Sequence, residues 1–132
     1  MINCLDLTTG WAEQLTILIQ LNDFCIEFPG CTAIAYCDLT TGMVLASGSR
    51  QKLPQEQFEL LGLTAAELLN AGLVPLGQVQ MAIVIHGLTR NLFLRSVNQP
   101  TEALCCVCGN GIDFVELGSA MSRTLTEIGS FS

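Results

Sequence analysis

Apolar and polar positions along the chain change their period several times, and each change marks an element. From Gly10 to Cys25, Trp11, Leu15, Leu18, Ile19 and Leu21 recur three and four residues apart, which predicts a helix. Thr8 or Thr9 can cap it, and Phe28-Pro29-Gly30 ends it. The run Thr16-Ile17-Leu18-Ile19 carries β-branched residues that also suit a strand; the length of the pattern favours helix. Two short apolar runs, Thr32 to Cys37 and Met43 to Ser47, then flank Asp38-Leu39-Thr40-Thr41-Gly42. This segment predicts a β-hairpin, with Asp38 capping the turn and Gly42 taking the positive φ of a tight reversal.

A second helical stripe follows. Pro54 suits the first helical position, where a missing N–H costs nothing. Phe58, Leu61, Ala65, Leu68 and Gly72 are spaced by three, four, three and four, with Gly72 and Pro75 placed to stop the helix. Leu60, Leu63 and Leu69 fall off this stripe. They imply either a broad core face or a second surface that meets another subunit. Val79 to Ile85 predicts a strand, His86-Gly87 a turn, and Leu88 to Ser96 its antiparallel partner, where Leu92 and Leu94 alternate with Phe93 and Arg95 as on a strand with one buried and one more exposed face. Glu102 to Cys108 is almost continuously apolar and predicts a central strand. Asp113 can cap a last helix whose Phe114, Leu117, Met121, Leu125 and Ile128 share one face.

The order α-β-β-α-β-β-β-α, with short connections, predicts an α+β domain: a five-stranded antiparallel sheet with helices on its faces. At 132 residues the whole chain, 1–132, suits one domain with an ordinary core. Half of the residues are apolar and only 13% are charged, which leaves little charge to cover a monomer's surface and points to apolar area buried against a partner.

Charge and cysteine usage narrow the function. A net charge of −7, with Arg50, Lys52, Arg90, Arg95 and Arg123 scattered singly, disfavours nucleic acid and anionic membrane surfaces. No apolar run approaches the roughly 20 residues of a spanning helix, and the first ten residues lack a basic leader, so the expected location is cytoplasmic. The odd count of seven cysteines argues against a disulfide framework; in apolar runs, free Cys packs as a small core residue.

No chemistry-bearing motif stands out. There is no phosphate-binding loop, and Gly109-Asn110-Gly111 reads as a turn. His86, the single histidine, falls at a hairpin tip without an orienting partner. The chain is therefore read as no enzyme, with no cofactor. One alternative rests on thiols: Cys106 and Cys108 share a sheet face, and Cys31 or Cys37 on the neighbouring strand would complete a metal-binding or redox-sensing site.

The pattern D-x-x-x-G-x-V-L-A-S-G, present as Asp38, Gly42, Val44, Leu45, Ala46, Ser47 and Gly48, resembles the roadblock family of dynein-light-chain-like proteins. The helix around TAAELLNAG, the hairpin VQMAIVIHGLTRNLFLRSV and the closing strand and helix extend the resemblance from Trp11 to Ile128. It implies a profilin-like fold and a signalling role: an adaptor, or a regulator of small Ras-like GTPases or of a motor-type partner. Such a protein works as a platform, or assists its partner's active site without donating a catalytic arginine; as a finger, Arg50, Arg90, Arg95 or Arg123 would be a rare use. The resemblance further implies a homodimer or heterodimer in which the helix Pro54–Ala71 and the strand Val79–Ile85 meet their counterparts. The expected interface is Phe58, Leu61, Ala65 and Leu68 of the helix with Met81, Ile83 and Ile85 of the strand. The strand has an independent physical reason to pair, since an apolar edge with free N–H and C=O groups seeks a partner.

Overall fold

The computed structural model of the chain describes residues 10–70 and 79–129. Three helices and five strands occur among them: α1 (Gly10–Glu27), β1 (Cys31–Asp38), β2 (Val44–Ser49), α2 (Gln55–Leu69), β3 (Met81–His86), β4 (Thr89–Arg95), β5 (Glu102–Gly109) and α3 (Phe114–Gly129). The strands form one antiparallel sheet in the order β2-β1-β5-β4-β3. The Thr16–Ile19 run is helical. Pro54 sits one residue before α2 as its N-cap. The proposed caps Thr8 and Thr9 and the stop at Gly72 and Pro75 lie outside the described residues.

Local chemistry explains the turns. In the β1–β2 connection the Asp38 carboxylate accepts from the Thr40 N–H at 2.9 Å, the Thr40 hydroxyl at 2.7 Å and the Thr41 hydroxyl at 3.2 Å. These bonds favour the ionised form and hold the Asp38 carboxyl below its usual pKa. Gly42 closes the turn at φ +76°. The β3–β4 connection has two residues, Gly87 and Leu88, with His86 paired to Thr89; Gly87 takes φ +58°. Asp113 caps α3 by accepting from the N–H groups of Val115 (2.9 Å) and Glu116 (3.2 Å).

Helices cover both faces of the sheet. On one face α1 and α3 bury Leu21, Phe24, Leu117 and Met121 against Ile34 and Leu104. On the other, Phe58, Leu61, Ala65 and Leu69 of α2 pack on Ala33, Ala35, Phe93 and Cys105. Gly62 allows α2 to approach the β1–β2 turn: a Cβ there would lie 2.3 Å from the Gly42 carbonyl oxygen.

One expectation is corrected. Strand β4 has no exposed face, because Leu92, Phe93 and Arg95 are all buried. A strand roofed on both sides cannot show the alternation of a half-solvated one. Arg95 is accommodated because its guanidinium donates to the carbonyl oxygens of Val79, Pro100 and Leu69 and, at 3.4 Å, to Asn70 Oδ1. Burial lowers its pKa from the usual arginine value. Cys31 and Cys37, the alternative partners of Cys106 and Cys108, face opposite sides of the sheet. Between Cys31 and Ala33 the β1–β5 register slips at Thr32, and a one-residue bulge moves Cys31 to the α1/α3 face.

Candidate protein interface

The two sheet edges differ in how they are protected. Strand β2 carries a bulge at Leu45, where Tyr36 pairs with Ala46 and Cys37 with Val44. Helix α1 also presses on it so closely that a Cβ on Gly48 would lie 2.8 Å from Asn22 Oδ1. Bulges and covering elements blunt an edge against further pairing. Strand β3 has neither. It pairs with β4 in unbroken register over six residues, from Met81↔Leu94 to His86↔Thr89, and its other side has no strand neighbour among the described residues.

The side chains of β3 sharpen the contrast. Met81, Ile83 and Ile85 are 50%, 40% and 61% exposed. Their register with Leu94 and Leu92 puts them on the α1/α3 face, beyond the reach of either helix. Ala82 and Val84 point the other way and are half-buried beside α2. No Lys, Pro or carboxylate interrupts this strand.

Helix α2 divides its apolar residues between two uses. Phe58, Leu61 and Ala65, expected at an intermolecular face, are consumed by the chain's own core. Leu68 is half-buried at the margin of that core. Of the seven residues expected at the interface, Leu68, Met81, Ile83 and Ile85 therefore retain accessible surface, and Phe58, Leu61 and Ala65 do not contribute it. Two leucines off the main stripe, Leu60 and Leu63, are 64% and 56% exposed, whereas Leu69 is buried. The off-stripe spacing was the sequence signal for this outward surface.

Between α2 and the β3 side of the sheet lies an open groove of about 330 Å³. Gln57, Leu60 and Thr64 form its helical wall, and Val84, Asn91 and Val107 lie on its sheet floor. No charged side chain lines it. Asn91 Oδ1 is buried there without a hydrogen-bond partner.

The described thiols fall into two groups, one on each face of the sheet. Cys37 and Cys105 lie together on the α2 face, with sulfurs 3.7 Å apart. Cys25, Cys31, Cys106 and Cys108 belong to the opposite face. Of the two partners expected for Cys106 and Cys108, Cys31 shares their face and Cys37 is separated from them by the sheet. No group of three or more His, Cys, Asp or Glu side chains suited to hold a metal occurs among the described residues. Hydrogen bonding with Cys37 followed by burial pushes Cys105 upward, burial and then Cys31 do the same to Cys106, and Cys31 followed by burial raises Cys25. A hydrogen bond from Cys31 lowers Cys108. Buried free thiols pack as small core residues.

Arg50, Arg90 and Arg95 are likewise engaged, whereas Arg123 is exposed on α3. Arg50 Nε donates to the Cys25 carbonyl at 2.9 Å, and Arg90 Nη1 donates to the Gly87 carbonyl at 2.8 Å. His86 is exposed at the end of β3, where no carboxylate or thiol orients it among the described residues.

No protein-family profile and no curated protein matches the sequence. Solved structures do match the fold. A roadblock/LC7 domain from Streptomyces avermitilis superimposes with a TM-score of 0.74 at 15% identity, over 86% of this chain and 95% of that one. The gliding protein MglB from Thermus thermophilus gives 0.74 at 17% identity, over 92% and 93%. Myxococcus xanthus MglB gives 0.71 at 11% identity, over 87% and 93%. The chain has the roadblock fold.

Proposed function

We propose that this chain is a non-enzymatic, dimeric adaptor or regulator of the roadblock type, which works in the cytoplasm and binds a small Ras-like GTPase or a motor-type partner. The observation that carries the reading is the unprotected apolar edge β3 beside the outward side of α2, on a fold shared with MglB and roadblock/LC7 domains. Pairing two β3 edges antiparallel would extend the sheet across a two-fold axis and cover Met81, Ile83 and Ile85. The absence of charge from this strand removes the usual deterrent to that pairing.

A regulatory role fits the chemistry of the accessible surface. The guanidiniums of Arg50, Arg90 and Arg95 are occupied with backbone carbonyls, which argues against each of these three as an arginine finger; Arg123 is exposed on α3. A charge of −7 per chain favours a partner with a basic docking surface.

The test uses Ile83→Lys and Leu68→Glu in analytical ultracentrifugation. Wild type is expected to sediment as a dimer and both variants as folded monomers. Purified small Ras-like GTPases from the source cell, loaded with GDP or a GTP analogue, then provide the partner assay by calorimetry. Dimeric variants, or the lack of any GTPase binding, would count against the corresponding half of the reading.

A further inference from the structure

Among the buried thiols the ladder singles out one pair. Cys31 begins β1 and Cys108 lies directly opposite it on β5, with both side chains on the α1/α3 face. The neighbouring backbone bonds show which kind of pair this is. The Cys31 N–H donates to the Phe28 carbonyl at 2.9 Å rather than across the ladder, and the Gly109 N–H donates to the Gly30 carbonyl at 3.1 Å. Cys31 and Cys108 therefore form a non-hydrogen-bonded pair, the closer kind in an antiparallel ladder, with Cα atoms about 4.5 Å apart. A disulfide spans Cα separations of roughly 4.4–6.8 Å. The backbone already stands where a bridge between these residues needs it.

No other two described cysteines are placed this way. Cys106 lies opposite Ile34, and Cys25 sits on α1 outside the ladder. Cys105 lies opposite Ala35 and Cys37 opposite Ala103, so these two are diagonal neighbours, a relation that spans roughly 7–8 Å. That is at or beyond the reach of a bridge, although their thiols touch. The Cys31 thiol is hydrogen-bonded with those of Cys25, Cys106 and Cys108, and its bond to Cys108 favours the Cys108 thiolate.

The pair also has an approach. An open cavity of about 460 Å³ lies between the α1–β1 turn and the β5–α3 loop, with Phe28, Gly30, Gly109 and Ile112 in its lining. Gly30 and Gly109 are the chain neighbours of Cys31 and Cys108, and a Cβ on Gly109 would meet nothing within 4 Å. A molecule little larger than water can approach from this side, while burial of both side chains keeps a bulky thiol reagent off.

We infer that Cys31 and Cys108 are a redox pair, which a hydroperoxide oxidises to a cross-strand disulfide. The Cys108 thiolate attacks one peroxide oxygen, the O–O bond breaks, and the other oxygen leaves as hydroxide and takes up the proton that Cys108 had lost. Cys108 is then a sulfenic acid. The Cys31 sulfur attacks the Cys108 sulfur and displaces hydroxide, which leaves as water with the Cys31 proton. The two thiols lose two electrons and two protons, and hydrogen peroxide becomes two waters. In a reducing compartment such a bond is transient, because exchange with a small thiol restores both cysteines. While it lasts, it ties the α1–β1 turn to the β5–α3 loop. The inference concerns the single chain and is independent of β3 pairing.

The test treats the reduced full-length chain with hydrogen peroxide under native conditions, alkylates it in urea and maps it by mass spectrometry. Trypsin cuts at Arg50 and Arg95, between the two cysteines, and fragmentation of the linked peptides assigns the partners. The expected result is the loss of two hydrogens, a bridge from Cys31 to Cys108, and a Tm roughly 5–10 °C above that of the reduced chain, reversed by dithiothreitol. In Cys31→Ser the reaction should stop at a sulfenic acid on Cys108, captured by dimedone. Cys37→Ser, on the other face, should oxidise like wild type. A bridge between any other two cysteines, or one that forms in urea and not in the native chain, would overturn the inference. The wild-type map decides this whether or not the serine variants fold.

Discussion

Removing the Arg95 fork should be the most damaging single change in this chain. Arg95→Met keeps most of the apolar stem and deletes every donor. The carbonyls of Val79, Pro100 and Leu69 then lose their shared partner, and Asn70 Oδ1 loses a weaker one. Hydrogen bonds to a charged group contribute about 1.5–3 kcal/mol each, but part of this returns because a buried guanidinium carries its own desolvation cost. Water can also reach some of the freed carbonyls. The net loss expected is about 3–5 kcal/mol, a large share of a domain's typical total of roughly 5–15 kcal/mol. For a chain of this length that corresponds to a fall of roughly 10–20 °C in Tm. The assay is urea unfolding followed by circular dichroism, with Tm from calorimetry. Arg95→Lys should recover only part of the loss, since an ammonium cannot reproduce the planar fork. A loss below about 1 kcal/mol for Arg95→Met would refute the reasoning, because so small a value is the cost of an ordinary surface substitution. Arg95 also ties the end of α2 to the approach to β3, so the methionine variant should dimerise more weakly.

Three further outcomes rest on other contacts of the fold. Gly62→Ala gains roughly 1 kcal/mol of helix propensity yet drives a Cβ into the Gly42 carbonyl; a net loss of about 1–3 kcal/mol in urea unfolding is expected, and net stabilisation would show that α2 can lift without cost. Asp38 has a depressed pKa when folded, so it contributes stability above its unfolded pKa that disappears as pH falls through the folded value. Asp38→Asn should therefore melt below wild type at neutral pH and converge with it in acid; a gap that persists in acid would mean the carboxylate's charge is not the cause. In a Cys4→Ser background the six remaining thiols, all buried, should react slowly with a thiol reagent until urea unfolds the chain; rapid native labelling of any of them would contradict their packing.

Much of this architecture was legible because its determinants are local. Asp38 and Gly42 specify their turn with groups no more than four residues away, and the continuous apolar run of β5 could belong only to a strand covered on both faces. What was not legible depends on contacts distant in sequence. Arg95 follows an alternating pattern and reads as solvated, yet three backbone carbonyls from separate segments converge on it. The Phe58–Leu61–Ala65 stripe revealed an apolar helix face without revealing that the chain's own sheet would use it. The leucines off that stripe, Leu60 above all, carried the information about the outer surface. Whether Cys31 or Cys37 shares a face with Cys106 and Cys108 was left open by the spacing, and one slipped residue at Thr32 decides it for Cys31. A bulge leaves no reliable mark in apolar spacing alone.

The β3 edge is the most direct point at which to test the account. Sedimentation equilibrium of wild type and Ile83→Lys, on samples shown to be folded by circular dichroism, decides it. The account predicts a wild-type dimer and a folded Ile83→Lys monomer of unchanged secondary structure. A wild-type monomer, or an Ile83→Lys variant that dimerises as tightly as wild type, would contradict it.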